Sequence, residues 1–491
     1  MELQFEKQDV SCLRCVTDET FRREETGEVR LPENMPDAAG VVAAWGQVIL
    51  RGKEWRNSAM TISGGVMAWV LYASEDTGEM HWVDTWLPLQ FKGDFPDPGR
   101  EGQICAWGSV DSVDARVTSA RKIMVRANVT LSCRAWVKER ISLPKAEALP
   151  EDVHIRENTY PVKFCREAGE QSFALEEDLP GAELDSCIYY GISPRITEHR
   201  VMGDKLVYRG ICNVHMLGSK DGKLRSWDGE MSFSQFAELD ESYEQEAEAY
   251  LQPVVTSMEM DCAEDGKWTA KCAIVCQYVV TDRQMLTIPE DGYSTDRETK
   301  LQMENVQIPC VLQMENRSIP VTCAIDSDGL QVLDATMQAS PGWLDRGENM
   351  YLMPLWSQVL YMDAEGKTRA ESCRWEEKIP MQAGESVRPG IFGDTGELRV
   401  SPMGGKTEVS GTLNLWEMTD TCWEMPVLSG IELGENAEKD PNRPSLILRR
   451  MGKDGLWEMA KSCRTTVSAI ENANDFTTAP APEQMVIIPI S

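Results

Sequence analysis

The sequence predicts a mainly-β chain, with three tandem sandwich-like repeats followed by a small βααβ module. Three observations lead to this prediction. Apolar and polar residues alternate over long stretches, acidic-glycine turns separate those stretches, and one pattern recurs with a nearly constant period. Alternation puts one face of a strand against a core and the other in water. A period of this kind indicates repeated structural units.

The first repeated pattern is a strand, an acidic-glycine turn, a second strand and a tryptophan. It reads VMAWVLYASEDTGEMHWVDTW, then ICNVHMLGSKDGKLRSWDGEM, then LWSQVLYMDAEGKTRAESCRW. The matching positions are Tyr72, Met216 and Tyr361, which lie 144 and 145 residues apart. The turns Asp76-Thr77-Gly78, Asp221-Gly222 and Glu365-Gly366 are typical of hairpins.

A second repeated strand follows in each unit, as VRANVTLSCRAW, WTAKCAIVCQYVV and TEVSGTLNLWEM. Together the two patterns predict repeats over residues 1–145, 150–290 and 295–435, the third divergent at its front end. Segments near 140–155, 288–300 and 433–443 are rich in Pro, Glu, Asp and Gly, and we expect them to be linkers.

One stretch departs from the β pattern. EQEAEAYLQPVV combines charge with alanine and favours a short helix. It overlaps the acidic run from Glu238 to Glu248, which predicts either a solvated helix face or a docking surface for a basic partner.

Composition excludes several classes of partner. The formal net charge of −31 repels phosphate backbones, so we expect neither nucleic acid nor an anionic membrane to bind the body. The first residues show no secretory signal and no apolar run is long enough to span a bilayer, which predicts a cytoplasmic protein without membrane insertion. The 15 cysteines are scattered through alternating stretches, as expected of reduced thiols packed in cores.

The sequence gives only weak signals for a catalytic site or a metal site. Cys12 and Cys15 have the spacing of half a zinc site, but no second pair accompanies them. Gly404-Gly405-Lys406-Thr407 resembles the end of a phosphate-binding loop, but the earlier glycine is replaced by Val400, so a hairpin turn is favoured. We therefore expect no enzymatic activity, no catalytic residues, no metal and no cofactor.

The last 49 residues form a distinct module over residues 443–491. A strand at 445–449 precedes a turn at 452–455, in which Asp454 is expected to cap a helix. That helix carries an apolar stripe of Leu456, Met459, Ala460 and Cys463. Thr465 and Thr466 are expected to cap a second helix, and a strand at 485–489 closes the module.

Charge sets the module apart from the rest of the chain. It carries six basic and five acidic residues, so the body holds the whole net negative charge. We expect the module to approach an acidic protein that the body alone would repel.

The stretch LILRRMGKDGLWEMAKSCRTTVSAIENANDF…PEQMVIIPI resembles a LysM domain. Gly455 and Glu483 depart from the family pattern in or beside the two loops that form its ligand groove, which puts ordinary glycan binding in question. The resemblance implies a groove or partner-binding surface made of Arg450, Gly452, Lys453, Asp454, Gly455, Leu456, Trp457, Asn474, Asp475, Phe476 and Pro480.

The preceding repeats are similar to the SPOCS domain of spore-coat proteins. Tandem SPOCS repeats followed by one LysM domain are the arrangement of the SipL-type family of spore-coat morphogenetic proteins. The resemblance implies a non-enzymatic scaffold in spore coat assembly, at the forespore surface in the mother-cell cytoplasm. Its LysM domain would bind a coat-basement morphogenetic ATPase, and its β-repeats would bind other coat proteins or one another. The alternative is a peptidoglycan-binding protein of the cell wall or spore cortex.

Overall fold

The computed structural model describes the chain except for residues 57–58, 95–101, 328–330, 382–383, 385, 438–443, 452–454, 475, 477–482 and 491. The described part contains 21 strands and two helices, which confirms the mainly-β prediction.

The strands fall into three units and a module along the chain. The N-terminal strand β1 (Glu2–Gln4) precedes unit 1, which comprises β2 (Glu6–Arg30), β3 (Ala38–Arg56), β4 (Ala59–Ser74), β5 (Met80–Asp94), β6 (Gly102–Ser119) and β7 (Lys122–Lys145). Unit 2 comprises β8 (Val153–Asp178), β9 (Ser186–Lys220), β10 (Lys223–Tyr243), β11 (Glu248–Cys262) and β12 (Trp268–Ser294).

Unit 3 comprises β13 (Arg297–Asp326), β14 (Gln331–Ala339), β15 (Trp343–Asp345), β16 (Met350–Met362), β17 (Thr368–Pro380), β18 (Arg388–Met403) and β19 (Lys406–Asn436). The module comprises β20 (Leu446–Arg450), α1 (Gly455–Cys463), α2 (Val467–Asn474) and β21 (Met485–Pro489).

The same strand pairing occurs in each unit. The first strand pairs antiparallel with the last, and the last pairs with the one before it: β2–β7–β6, β8–β12–β11 and β13–β19–β18. The middle strands form a second sheet, β3–β4–β5, β9–β10 or β14–β16–β17. Strand β9 doubles back near Gly203. Two hydrogen bonds join its two halves: Thr197 Oγ1 donates to Arg209 O, and Asp185 N–H, just before the strand, donates to Ser219 O.

The two sheets of each unit enclose a separate apolar core. Tyr72, Met216 and Tyr361 lie at the same place in their units, each before a hairpin turn and each at most 4% exposed. The predicted turns are confirmed, since Gly78, Gly222 and Gly366 have φ values between 72° and 77° that favour glycine.

The sheets meet around a common centre, like blades of a propeller. Trp107, Tyr250 and Phe392, one from each unit, pack in a single buried cluster there. Cys15, Cys165 and Val311 join them from the three first strands, each beside a β-bulge. Bulges bend a strand and re-aim its side chains, which lets the three long strands turn towards one point.

Two local expectations are wrong. The stretch EQEAEAYLQPVV is not helical: it leads into β11, where Tyr250 and Leu251 are buried and pair with β12. Burial of these large side chains against a neighbouring strand outweighs the weak helix propensity of the segment.

The expected linkers at 140–155 and 288–300 are also mostly strand. Lys145 pairs with Glu6, and Ser294 pairs with Val153, so the ladders continue almost to the boundaries between units. Prolines and acidic residues are accommodated at the ends of long strands, where local composition alone resembles a loop.

No disulfide joins any of the 15 cysteines, all of which lie in the described ranges. Within the described ranges, no helix is long and apolar enough to cross a membrane.

Candidate protein-binding module

The module has the predicted βααβ order. Strands β20 and β21 pair antiparallel, from Leu446 opposite Pro489 to Arg450 opposite Met485. The apolar stripe of α1 faces the module core, where Met459, Ala460 and Cys463 are buried. The second predicted cap is confirmed for Thr466, whose Oγ1 accepts the Ala469 N–H at 3.0 Å as an N-cap residue does.

A second face of α1, next to the apolar stripe, docks on unit 2. Trp457 Nε1 donates to Asp291 Oδ2 at 2.7 Å, and Lys461 Nζ donates to Asp291 Oδ1 at 2.6 Å. Because Trp457 and Lys461 are four residues apart, one helix turn presents both to the same carboxylate. Asp291 is only 7% exposed, so this contact lies inside the interface and not at its rim.

Tyr293, two residues further along β12, completes the interface. Its ring meets Trp457 edge-on with ring centroids 5.0 Å apart, and its hydroxyl donates to Thr465 O at 2.7 Å. The ring is part of the module core. Arg464 pairs with Glu298 at 2.5 Å, which adds a charged contact beyond the apolar centre. The body thus supplies an aromatic side chain, that of Tyr293, to the core of the module.

Electrostatics favour the ionised form of Asp291. Burial opposes ionisation, but the hydrogen bonds from Lys461 and Trp457 outweigh it and hold the pKa of the carboxyl below its ordinary value. The buried carboxylate therefore has the charged and hydrogen-bonding partners that such a group requires.

The outer face of the two-stranded sheet carries exposed apolar side chains, with no strand paired over it among the described residues. Leu446, Leu448, Met485 and Ile487 are between 36% and 61% exposed. They alternate with inward-facing residues such as Val486 and Ile488, both fully buried. We call these four exposed residues the apolar face. Adjacent exposed apolar side chains of this kind mark protein-interaction surfaces more often than isolated ones do.

The residues expected to form the groove have separate roles. Trp457 contacts unit 2, Leu456 and Phe476 pack against the module core, and Gly455 begins α1 with a φ of 76°. Such a φ favours glycine at this position.

Two further groove residues contact the sheet and its flanking segment. Arg450 is exposed and pairs with Glu483 at 3.4 Å. The Asn474 side chain ties α2 to β21, because it donates to Ile487 O and accepts the Ile487 N–H. The remaining predicted groove residues fall outside the described residues: Gly452, Lys453, Asp454, Asp475 and Pro480.

Sequence reasoning missed Asp291, Tyr293 and the apolar face. The apolar face had a visible signal, because LIL and MVII are continuous apolar runs in strands that can bury only one face against a two-helix module. Asp291 and Tyr293 had none, since they lie more than 160 residues from their partners.

The other candidate sites show no clustered chemistry. Burial raises the pKa of both the Cys12 and the Cys15 thiols to about 12, and the two side chains belong to different apolar clusters. The segment Gly404-Gly405 is the predicted hairpin turn, between Met403 and Lys406. No group of three or more potential metal ligands occurs in the part of the chain that the structure describes.

Comparison with known proteins identifies no relative: no family model, no curated protein and no solved structure matches the chain.

Proposed function

We propose that this chain is a non-enzymatic adaptor in spore coat assembly, in which the C-terminal module binds a coat-basement morphogenetic ATPase at the forespore surface. The setting rests on the resemblance of the module to LysM domains and of the repeats to SPOCS domains. The β units would act as the scaffold and bind other coat proteins or further copies of the chain.

The observation that supports protein binding best is the apolar face of the module. A glycan-binding surface combines aromatic rings with polar groups, whereas Leu446, Leu448, Met485 and Ile487 offer only aliphatic or thioether contact. Trp457, the aromatic residue expected in a groove, is instead engaged by Asp291. Full burial of an exposed side chain of this size contributes about 1.5–3 kcal/mol, and each of these four, at 36–61% exposure, would contribute roughly half of that against a partner.

Fluorescent fusions in a sporulating host test the proposal. The full chain is expected to form a ring around the forespore, and deletion of residues 443–491 is expected to abolish it. Leu448→Glu places a charge in the apolar face and is expected to abolish the ring as well. Met285→Glu is the matched control, because Met285 is equally exposed (63% against 61%) but lies on unit 2.

A peptidoglycan pelleting assay separates the alternative function. Protein binding predicts that the purified full chain stays in the supernatant. Strong co-sedimentation that Trp457→Ala abolishes, or a ring that Leu448→Glu leaves intact, would contradict the proposal and favour a wall-binding protein.

A further inference from the structure

A cavity of about 1190 Å³ lies where the three units meet. It is lined by segments of β3, β6, β9, β11, β14 and β18, among others. Pockets that bury drug-sized ligands typically measure about 300–1,000 Å³. This cavity is therefore large enough for a ligand of several residues, and the module lies outside it.

Two of the edge strands at this centre have one residue whose backbone N–H and C=O both hydrogen-bond to a glutamine side chain of a neighbouring unit. Gln47 donates to Ile192 O at 2.6 Å and accepts the Ile192 N–H at 3.1 Å. Gln277 makes the same pair of bonds to Ala106, at 2.9 Å and 2.8 Å. Each carboxamide thus satisfies one backbone donor and one acceptor, as a neighbouring strand would.

No glutamine makes such a pair of bonds to strand β14 among the described residues, and one outward carbonyl, that of Met337, is bonded to a hydroxyl. Residues 332–339 all line the cavity, and β16 pairs with only one edge of this strand. Thr395 Oγ1 donates to Met337 O at 2.6 Å, so the Met337 backbone faces away from β16. Since alternate residues of a strand face the same way, Ala335 also presents its N–H and C=O to the cavity. No strand is registered against this edge within the described ranges.

The cavity is acidic. Five carboxylates line it: Asp228, Glu230 and Glu397 are exposed at its mouth, and Asp334 and Asp394 are buried. Its cationic groups are Arg195 and His215. Burial disfavours the imidazolium form of His215, but Asp334 and Asp228 outweigh it and raise its pKa to about 10. The carboxylates still outnumber the cations.

One of the buried carboxylates has an unsatisfied oxygen. Asp394 Oδ1 accepts from Ser193 Oγ at 2.5 Å, whereas Oδ2 is buried without a hydrogen-bond partner among the described residues. Burial raises the pKa of Asp394 to about 6 despite the Ser193 hydrogen bond. A positive charge brought into the cavity would stabilise this carboxylate in its ionised form.

We propose that the central cavity binds an extended basic segment of a partner protein, which adds as a strand to the free edge of β14. Strand addition satisfies the outward N–H and C=O of Ala335 and the N–H of Met337, whose C=O already accepts from Thr395. Main-chain bonds of this kind supply affinity in other peptide-binding sheets. Lysine or arginine side chains of the segment would meet the carboxylates and select against acidic segments. This site is independent of the proposed partner of the module.

A fluorescently labelled nine-residue peptide of alternating lysine and threonine is the probe, and its counterpart with glutamate for lysine is the control ligand. Anisotropy titration of the full chain is expected to show binding of the basic peptide alone, weakening at least tenfold between low and high salt. Spermine is the competitor that distinguishes a peptide site from a site for small cations. It is expected to displace the peptide only in large excess.

Two sets of variants locate the binding. Ala335→Pro removes one outward N–H without touching the ladder to β16, and is expected to weaken binding at least fivefold, whereas Ala335→Ser keeps the N–H and the affinity. Glu230→Gln with Glu397→Gln is expected to weaken binding by a similar factor. Glu33→Gln with Glu264→Gln, at exposed positions outside the cavity lining, is expected to leave binding unchanged.

Several outcomes would overturn the inference. They are equal binding of both peptides, no binding of either, displacement by spermine at the concentration of the peptide itself, or unchanged affinity in the Glu230/Glu397 variant. If Ala335→Pro fails to fold, the Glu230/Glu397 variant decides, because both side chains are exposed. Retained binding in a chain lacking residues 443–491 is expected, so failure of the module's function is distinguishable from failure of this site.

Discussion

Asp291 of unit 2 holds Trp457 and Lys461 of the C-terminal module through its two carboxylate oxygens, at 2.7 Å and 2.6 Å. The module is therefore docked on the body by a face of α1 beside its apolar stripe, and Trp457 also packs against the module core. The apolar face on β20 and β21 is left free by this arrangement. One orientation of the module thus hides its tryptophan and presents its aliphatic side chains.

Removing the Asp291 carboxylate should release α1. Asp291→Ala leaves Lys461 and Trp457 without their acceptor, and hydrogen bonds to charged groups contribute about 1.5–3 kcal/mol each. We expect the opening free energy of residues 455–463 to fall by about 2–3 kcal/mol in hydrogen exchange. Asp265→Ala, in an exposed turn of the same unit, is the control. Unchanged protection in Asp291→Ala would show that the other contacts, including those of Tyr293 and the Arg464–Glu298 pair, hold the module without it.

Docking should also weaken in acid. The pKa of Asp291 is lowered in the docked state, so its contribution is complete above the ordinary aspartate pKa of about 3.9 and is lost as pH falls through the lower docked value. Chemical cross-linking between Lys461 and unit 2, or small-angle scattering, is expected to show an unchanged docked state between pH 5 and 8. Release within that interval would indicate a different titrating group.

Substitution of Gln277 should lower the free energy of unfolding more than is usual for a neutral polar side chain. It is fully buried and satisfies both backbone groups of Ala106 in the neighbouring unit. Gln277→Leu leaves those two groups unsatisfied, at about 1–3 kcal/mol for each. We expect denaturant unfolding to show a loss of about 2–5 kcal/mol. Gln171→Leu, at a half-buried strand position whose side-chain hydrogen bond to Ser172 O is exposed, is expected to change stability by less than about 0.5 kcal/mol.

Among the charged residues at the common centre of the three units, Arg134 should be the one whose substitution lowers the free energy of unfolding most. Its guanidinium is 6% exposed, contacts Asp420 at 2.5 Å and donates to Met418 O, so it joins unit 1 to unit 3. Arg134→Ala strands a buried carboxylate, and we expect a loss of about 3–5 kcal/mol in unfolding free energy. Arg126→Ala on the same strand removes an exposed ion pair and is expected to cost at most about 1 kcal/mol. Comparable losses for the two variants would contradict this assignment.

The sequence by itself determined the mainly-β class, the hairpin turns, the positions of Tyr72, Met216 and Tyr361, and the βααβ order of the module. Alternation, turn residues and capping residues act over a few positions, so a single chain displays them directly. The sequence also carried the signal for the apolar face, in the unbroken apolar runs of β20 and β21.

Only the tertiary structure decided how these parts meet. It turned EQEAEAYLQPVV into a strand, continued the ladders through the expected linkers, and brought Asp291 to Trp457 across 166 positions of the chain. It also left the Ala335 edge of β14 without a partner strand in the described part of the chain, whereas Gln47 and Gln277 bond to the backbone of two other edges. The reason is that burial and hydrogen-bond satisfaction are settled by neighbours distant in sequence, whose identity no local pattern records.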